Sequence, residues 1–473
     1  MLVCRHWRYV ALSTPRLWRV IEVGKDLKWM GLAVSRSQNA TLDISFWWNA
    51  SVIASHPILL PVAERITVLT FNNVYEHQLA AALRLVNSAQ SSLIKLCLAR
   101  TPRERASWQD AFPNALHSVS FGRQRFPAMT ALTIEGVRMT LQDPQAFFSR
   151  LRVLDVSRCL LLCDPPIFTV STFLDVLARC AALEEVSLCG VLSQFHHDQP
   201  EHVGKSIQQS RIVSIPKLRK LTIQDKVEVV SSSLSSLLVP PNVRVQLVGE
   251  LESLSEDWAE PGLFIPVLPL NWRQTLPILD TVRAVTLDID LGIRAFSDHG
   301  GVEIALDIKD GHQDVPMSRT VDEAIQLFSN APLTSLTIVA YMVDELEEAE
   351  WSRLFAGFRT LESFALSGMG LDTVRVFDAL AESQLGEDGD PVVCPNLRKL
   401  RVSGPLWSDD TLQCVVECLA TRARGNAANL EKLELQLGFD SYEDFEETKK
   451  NFLGEVGAVF EGEVEFGYDK LHS

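Results

Sequence analysis

The residue patterns closest to a chemical site lie in the middle of the chain. Gly204-Lys205-Ser206 matches the end of a phosphate-binding loop, in which backbone N–H groups and a lysine cradle a phosphate. The glycine that must open such a loop, five positions earlier, is missing: Gln199 stands there and Pro200 follows. His196, His197, Asp198 and His202 offer metal-ligand atoms, but they fall in one polar run, 194–203 (QFHHDQPEHV), that reads as a loop. Asp288 and Asp290 alternate along a strand-like run and share a face, with Asp307 and Asp310 further on. Spacing alone supplies no general acid to work beside them. Cys159/Cys163 and Cys414/Cys418 have helical spacing, whereas a zinc site draws four ligands, usually from close pairs. The chain contains no Gly-x-Ser-x-Gly elbow, no His-Glu-x-x-His, no Cys-x-x-Cys and no dinucleotide glycine fingerprint. The expectation is therefore a protein that is not an enzyme, with no catalytic, cofactor-binding or metal-binding residue assigned.

What the sequence does carry is a repeat. The spacing apolar-x-x-apolar-x-apolar recurs twelve times, and its last two apolar positions alternate with a polar residue, as a half-buried strand requires. The first seven copies are Ile66-Leu69-Phe71, Leu93-Leu96-Leu98, Leu116-Val119-Phe121, Met129-Leu132-Ile134, Leu151-Leu154-Val156, Leu183-Val186-Leu188 and Leu218-Leu221-Ile223. The remaining five are Val282-Val285-Leu287, Leu333-Leu336-Ile338, Leu361-Phe364-Leu366, Leu397-Leu400-Val402 and Leu430-Leu433-Leu435. Helical patterns separate them, at 172–180, 321–328, 372–382 and 409–421. In the second of these, Val321, Ala324, Ile325 and Phe328 share one face, and Thr320 with Glu323 has the spacing of a capping box. One short strand per helix predicts parallel strands joined by right-handed crossovers.

This arrangement resembles the leucine-rich repeats, over about residues 60–440. Only Leu151-x-x-Leu154-x-Val156-x-x-Cys159-x-Leu161 meets the full pattern of that family; the other copies lack the Asn or Cys that would bond the backbone of the turn. The implied fold is an α/β leucine-rich-repeat-like solenoid, with a first half at 60–223 and a second at 282–440. Between them, 224–281 holds six prolines and a serine run and reads as an irregular insertion or hinge, in which Val243, Val245 and Leu247 form one degenerate strand. Residues 441–473 read as a terminal cap, helical over 442–460 and strand-like over 464–468.

Composition agrees with a folded, non-membrane chain. Of its 473 residues 47% are hydrophobic, with 22 Phe and 10 Trp, which excludes disorder. At about 150 residues per domain the prior is about three domains, although a repeat array grows without such a limit. No run of apolar residues is long enough to span a bilayer. The N-terminus carries charge where a secretion signal needs an apolar core, so the sequons at Asn39 and Asn49 read as chance matches. Nine scattered Cys point to a reducing compartment and an intracellular protein, cytoplasmic or nuclear. Residues 1–249 hold 27 Lys/Arg and 18 Asp/Glu, a net of +9, whereas 250–473 hold 17 and 42, a net of −25. The acidic half argues against nucleic acid as a partner.

The first residues carry a second resemblance. Residues 2–23, LVCRHWRYVALSTPRLWRVIEV, place Val3, Trp7, Val10 and Ala11 on one side of a short helix. A turn at Ser13-Thr14-Pro15 follows, then a segment anchored by Leu17 and Trp18. This resembles the C-terminal half of an F-box, over 1–24. The resemblance implies a substrate-recognition subunit of a cullin–RING ubiquitin ligase. In that reading Val3, Cys4, Trp7, Leu17 and Trp18 form the F-box core and its face for the ligase adaptor, and the repeats hold a protein substrate. Outward positions between the buried apolar ones would read that substrate on the concave strand surface: Arg152, Asp155, Arg219, Thr222, Arg398, Arg401, Glu431 and Glu434. An F-box ordinarily opens with a Leu-Pro-x-Glu start and an apolar helix, and here the motif is met part-way, at Met1. Two readings stay open: a truncated form of such a receptor, or a non-catalytic repeat scaffold that no longer binds the adaptor.

Overall fold

The computed structural model describes residues 4–47, 50–100, 118–164, 169–195, 212–251, 263–288, 292–308, 317–340, 346–368, 373–381, 393–406, 409–424, 430–439 and 442–469. The chain divides into two compact units, Met1–Val239 and Pro240–Ser473.

In the first unit the strands are β1 (Val20–Val23), β2 (Leu42–Phe46), β3 (Ile66–Val74), β4 (Lys95–Arg100), β5 (Ser118–Phe121), β6 (Ala131–Glu135) and β7 (Arg138–Gln142). They continue as β8 (Val153–Ser157), β9 (Leu160–Asp164), β10 (Glu185–Cys189), β11 (Val213–Ser214), β12 (Lys220–Lys226) and β13 (Leu237–Leu238). The helices are α1 (Arg5–Ser13), α2 (Leu27–Arg36), α3 (Val52–Leu59), α4 (Glu76–Ser88), α5 (Pro144–Phe148), α6 (Val170–Ala178) and α7 (Val227–Ser235). The main sheet is parallel throughout, in the order β1-β2-β3-β4-β6-β8-β10-β12. Its registers stack each triplet on the next: Leu96, Leu132, Leu154, Val186 and Leu221 form one buried row, and Leu98, Ile134, Val156, Leu188 and Ile223 another. Burial of each such side chain stabilises by about 1.5–3 kcal/mol, so the rows are the core.

Three features depart from the sequence reading. The ladder begins before residue 60: β1 buries Ile21 and Val23, and β2 buries Leu42, Ile44 and Phe46. In β2 the position three before Ile44 is Thr41, so the leading apolar residue of the triplet is missing; β1 has Trp18 in that place, followed by Ile21 and Val23. The Val119-Phe121 copy is not in the main sheet either; β5 joins β7 and β9 in a separate parallel sheet of three strands. And residues 224–281, expected to be irregular, contain the end of β12, then α7, β13, a strand at Arg244–Leu251 and the short helices Ile265–Val267, Trp272–Thr275 and Pro277–Thr281.

The one full leucine-rich consensus shows why its cysteine is there. The Cys159 thiol is fully buried and donates to Ile134 O (3.4 Å) and Ser157 O (3.3 Å), tying two successive turns together. Neighbouring turns reach the same end with other residues. Gln194 Nε2 donates to Cys159 O while its Oε1 accepts from Leu161 N, and buried Asp225 Oδ2 accepts from Leu192 N (2.9 Å) and Ser193 N (3.0 Å).

The second unit contains β14 (Arg244–Leu251), β15 (Ala284–Asp288), β16 (Gly292–Phe296), β17 (Gly301–Ile308), β18 (Ser335–Ala340), β19 (Ser363–Gly368), β20 (Lys399–Leu406), β21 (Lys432–Gly438) and β22 (Glu463–Asp469). Its helices are α8 (Trp272–Thr275), α9 (Met317–Phe328), α10 (Glu348–Gly357), α11 (Thr373–Ala381), α12 (Asp409–Arg424) and α13 (Tyr442–Val459). From β15 the sheet runs in parallel through β18, β19, β20, β21 and β22. Parallel strands are not the whole account, however. β15, β16 and β17 form an antiparallel meander, and β17 then pairs in parallel with β14. Gly292 opens β16 at φ +121, where any Cβ would meet the backbone of Ile304 and Ala305, so the tight crossing requires glycine. A scan for apolar triplets cannot see this meander, because β16 and β17 are joined by the short turn at 297–300 and not by a helix.

The expected capping box is also replaced. α9 starts at Met317, which puts Thr320 inside the helix. The Glu323 carboxylate turns away from its own helix end and accepts from the backbone N–H groups of Leu263 and Phe264. Among the described residues no helix is long and apolar enough to cross a membrane.

Candidate functional site

Two surfaces hold the residues singled out by the sequence. The first is the N-terminal segment, residues 4–36. Val3 lies outside the described residues. Helix α1 buries none of its side chains, Cys4 before it is exposed, and Trp7 is 65% exposed. Leu17, in the single helical turn Pro15–Trp18, is 63% exposed. Placing Trp7 and Leu17 in a core is therefore corrected: both face solvent.

Trp18 behaves differently. Its Nε1 donates to Ala11 O (2.6 Å), its ring meets Trp29 edge-on at 5.6 Å, and the Arg36 guanidinium lies 4.9 Å over it. It is the pin that joins α1, the turn and α2. The sequence reading missed Tyr9, Leu12, Val20, Trp29 and Leu32, which are exposed in the same N-terminal segment as Trp7 and Leu17. Helical spacing on α2 is the signal that separates these, since Met30, Ala33 and Val34 take its inner face and leave Trp29 and Leu32 outside. This apolar surface is set among cations: residues 4–36 hold seven Lys/Arg and two Asp/Glu. One of the two, Asp26, is spent capping α2, accepting from Lys28 N and Trp29 N.

The second surface is the outward side of the sheets. In the first unit its central row reads Thr70, Cys97, Thr133, Asp155, Ser187 and Thr222, small and largely hydroxylic. Asp155 accepts from Ser157 Oγ at 3.4 Å. Arg152 and Arg219 are exposed in the turns that lead into β8 and β12. Arg152 grips Glu184 with two bonds, Nε to Oε1 (3.0 Å) and Nη2 to Oε2 (2.9 Å). That pairing holds the Glu184 carboxyl below its ordinary range, helped by the nearby charges of Arg219 and Lys217.

In the second unit the four expected residues pair with one another. Arg398 meets Glu431 at 3.0 Å and Arg401 meets Glu434 at 3.6 Å. Lys432 links Glu434 (2.7 Å), Glu465 (2.9 Å) and Glu463 (3.8 Å). These pairs are largely exposed, each worth about 0–1 kcal/mol, so they organise the face more than they stabilise it.

The chemistry-bearing residues elsewhere are silent. None of the nine cysteines forms a disulfide. Burial pushes the Cys159, Cys180, Cys394 and Cys418 thiols up to about 12, and those of Cys163 and Cys414 to about 11, so none is a thiolate nucleophile at neutral pH. Among the described residues no three His, Cys, Asp or Glu side chains converge to hold a metal ion. Asp288 is buried on β15 opposite Gly292 and Val339, whereas Asp307 lies on β17 opposite Glu250, so the register does not pair the two acids. Residues 196–206, with the histidines and the Gly-Lys-Ser run, lie outside the described residues, as do Asp290 and Asp310.

Together, fold and surface define a mixed α/β chain of mostly parallel sheets alternating with helices. No protein-family model matches the sequence and no curated protein matches it. Among solved structures, one described as the crystal structure of a TDR receptor is 10% identical over 98% of this chain and 70% of that chain, with a TM-score of 0.22. At that score the likeness carries no argument.

Proposed function

We propose that this chain is the substrate-recognition subunit of a cullin–RING (SCF-type) ubiquitin ligase. In this reading the sheets and helices form a leucine-rich-repeat-like solenoid, and residues 4–24 are the part of an F-box that meets the ligase adaptor. The observation that supports it is the unburied apolar surface of Trp7, Tyr9, Leu12, Leu17 and Val20, on residues that resemble an F-box. Five large apolar side chains left exposed within one short segment are more than chance scatter and point to a surface that a partner covers. The role is non-catalytic: the outward face of the strands holds a protein, and the N-terminal segment holds the ligase, raising the effective concentration of one near the other.

The test is co-purification with the ligase adaptor, of this chain and of a form extended upstream from its transcript. Trp7→Ala and Leu17→Ala remove exposed side chains without opening the core, so both are expected to abolish capture while leaving the melting temperature unchanged. Capture by neither form would leave the second reading, a non-catalytic repeat scaffold. The self-pairing of Arg398 with Glu431 and of Arg401 with Glu434 favours that alternative, because it leaves none of these four charges without a partner to recruit a ligand.

A further inference from the structure

The turns that lead into β8, β10 and β12 stack on one another, Glu184 N donating to Arg152 O (2.8 Å) and Arg219 N to Glu184 O (2.7 Å). Their side chains therefore form a column of Arg152, Glu184 and Arg219. Arg152 occupies both oxygens of Glu184. Arg219 and Lys217, close enough to act on the same carboxylate, are left with no ion pair among the described residues. Lys220 stands opposite Glu185 in register, yet the two form no ion pair. Four cations thus face two carboxylates here, and the bidentate grip of Arg152 concentrates the surplus on the β12 side. The matching turns of the second unit carry the opposite balance, with Glu362, Arg398, Glu431 and Glu463 in succession. Beside the surplus cations, the Thr222 Oγ1 is buried and has no partner, and it sits next to Ser187 in register.

We infer that Lys217, Arg219 and Lys220 form an anion-accepting rim that reads an acidic segment of a bound polypeptide. Lys217 and Arg219 lie in the one turn that leads into β12 and Lys220 opens that strand, so along the chain the three span at most about 10 Å. An extended segment advances about 3.3 Å per residue, and two or three carboxylates in close succession match that span. The inference deepens the substrate-receptor reading and rests on it for biological meaning, but the charge preference is a property of this surface alone.

The experiment is fluorescence anisotropy of the full chain with a labelled twelve-residue Glu/Ser peptide and the same peptide with Gln for Glu. The test variant is Lys217→Glu/Arg219→Glu/Lys220→Glu. Its control is Arg84→Glu/Arg123→Glu/Arg125→Glu, which changes net charge equally at exposed sites elsewhere. The expected result is preference for the acidic peptide, weakened about tenfold or more by the rim variant and little by the control. Equal loss in both variants, equal affinity for both peptides, or no binding of the acidic peptide overturns the inference. If the rim variant melts earlier than the parent, Arg219→Gln/Lys217→Gln is read instead. Adaptor co-purification is scored separately on the same variants. An adaptor failure with a retained peptide preference counts only against the ligase reading, and the converse only against the rim.

Discussion

Glu323 shows how one side chain serves two distant segments. It is 4% exposed, and its carboxylate oxygens satisfy the N–H groups of Leu263 and Phe264 at the start of the helical turn Ile265–Val267. Glu323→Ala leaves those buried donors without an acceptor, which costs about 2–4 kcal/mol. The prediction is a correspondingly lower denaturation midpoint, with exchange protection lost first at Leu263 and Phe264. The pH dependence has a definite sign. Burial raises the Glu323 carboxyl from 4.5 to about 6, against the opposing pull of the Phe264, Leu263 and Ile265 N–H groups. A carboxyl with a raised folded-state value binds its proton more tightly when folded. Its contribution is therefore fully present below about 4.5 and is lost as pH rises through about 6, to the extent of about 2 kcal/mol. Glu323→Gln has no proton to release, so its stability should be flat across that window, measured by urea unfolding at successive pH values. A slope unchanged in Glu323→Gln would mean that another group titrates there. None of this was legible in the sequence, where Thr320 and Glu323 have the spacing of a local cap. Local spacing cannot report that a helix starts four residues earlier, at Met317 instead of Val321, and that its acid bonds to a segment about sixty positions away.

At the scale of the element, the triplets were legible because one physical requirement writes them: two alternate apolar side chains buried in a strand, behind a third buried at or just before its start. In all twelve the last two apolar residues lie in a strand, and the described triplet residues are buried. What could not be read was anything that departs from one strand per helix. β2 lacks the leading residue, the β15–β17 meander replaces a helix by a short turn, and the turn-tying role passes from Cys159 to Gln194 and Asp225. The N-terminal surface was half legible: residue types picked out Trp7 and Leu17, but only packing shows that Trp18 is a pin and they are not. The turns also contain a test of the stacking itself. Gly136 (φ +69), Arg158 (φ +51) and Gly190 (φ +58) occupy the same rung after β6, β8 and β10. Their N–H groups donate in turn to Ser157 O, Cys189 O and Gln224 O. Two of the three are glycine because a Cβ is strained in the left-handed region. Arg158→Gly should therefore stabilise the first unit by about 0.5–1 kcal/mol, read as a raised melting temperature. A fall would mean that the contacts of the Arg158 side chain outweigh its backbone strain.

For the molecule as a whole, charge divides where the fold does. Residues 1–239 hold 26 Lys/Arg and 18 Asp/Glu, a net of +8, and 240–473 hold 18 and 42, a net of −24. Two effects of salt then compete in the second unit. Screening weakens its ion pairs, such as Arg398–Glu431 and Lys432–Glu465, but those are exposed and worth little individually. Screening also relieves the mutual repulsion of the excess carboxylates, which acts against the compact state over the whole unit. The repulsion has many more contributors than the pairs, so its relief dominates. Raising NaCl from about 0.01 M to about 1 M shortens the screening length from about 30 Å to about 3 Å. Over that range the opening free energy of strands β18–β21 should rise, while that of β6, β8 and β10 changes less. Hydrogen exchange followed by mass spectrometry separates the two sets of peptides within one sample. An equal response in both would show that the net charge of each unit is not what sets its stability, and that the acidic excess of the second unit serves its surface alone.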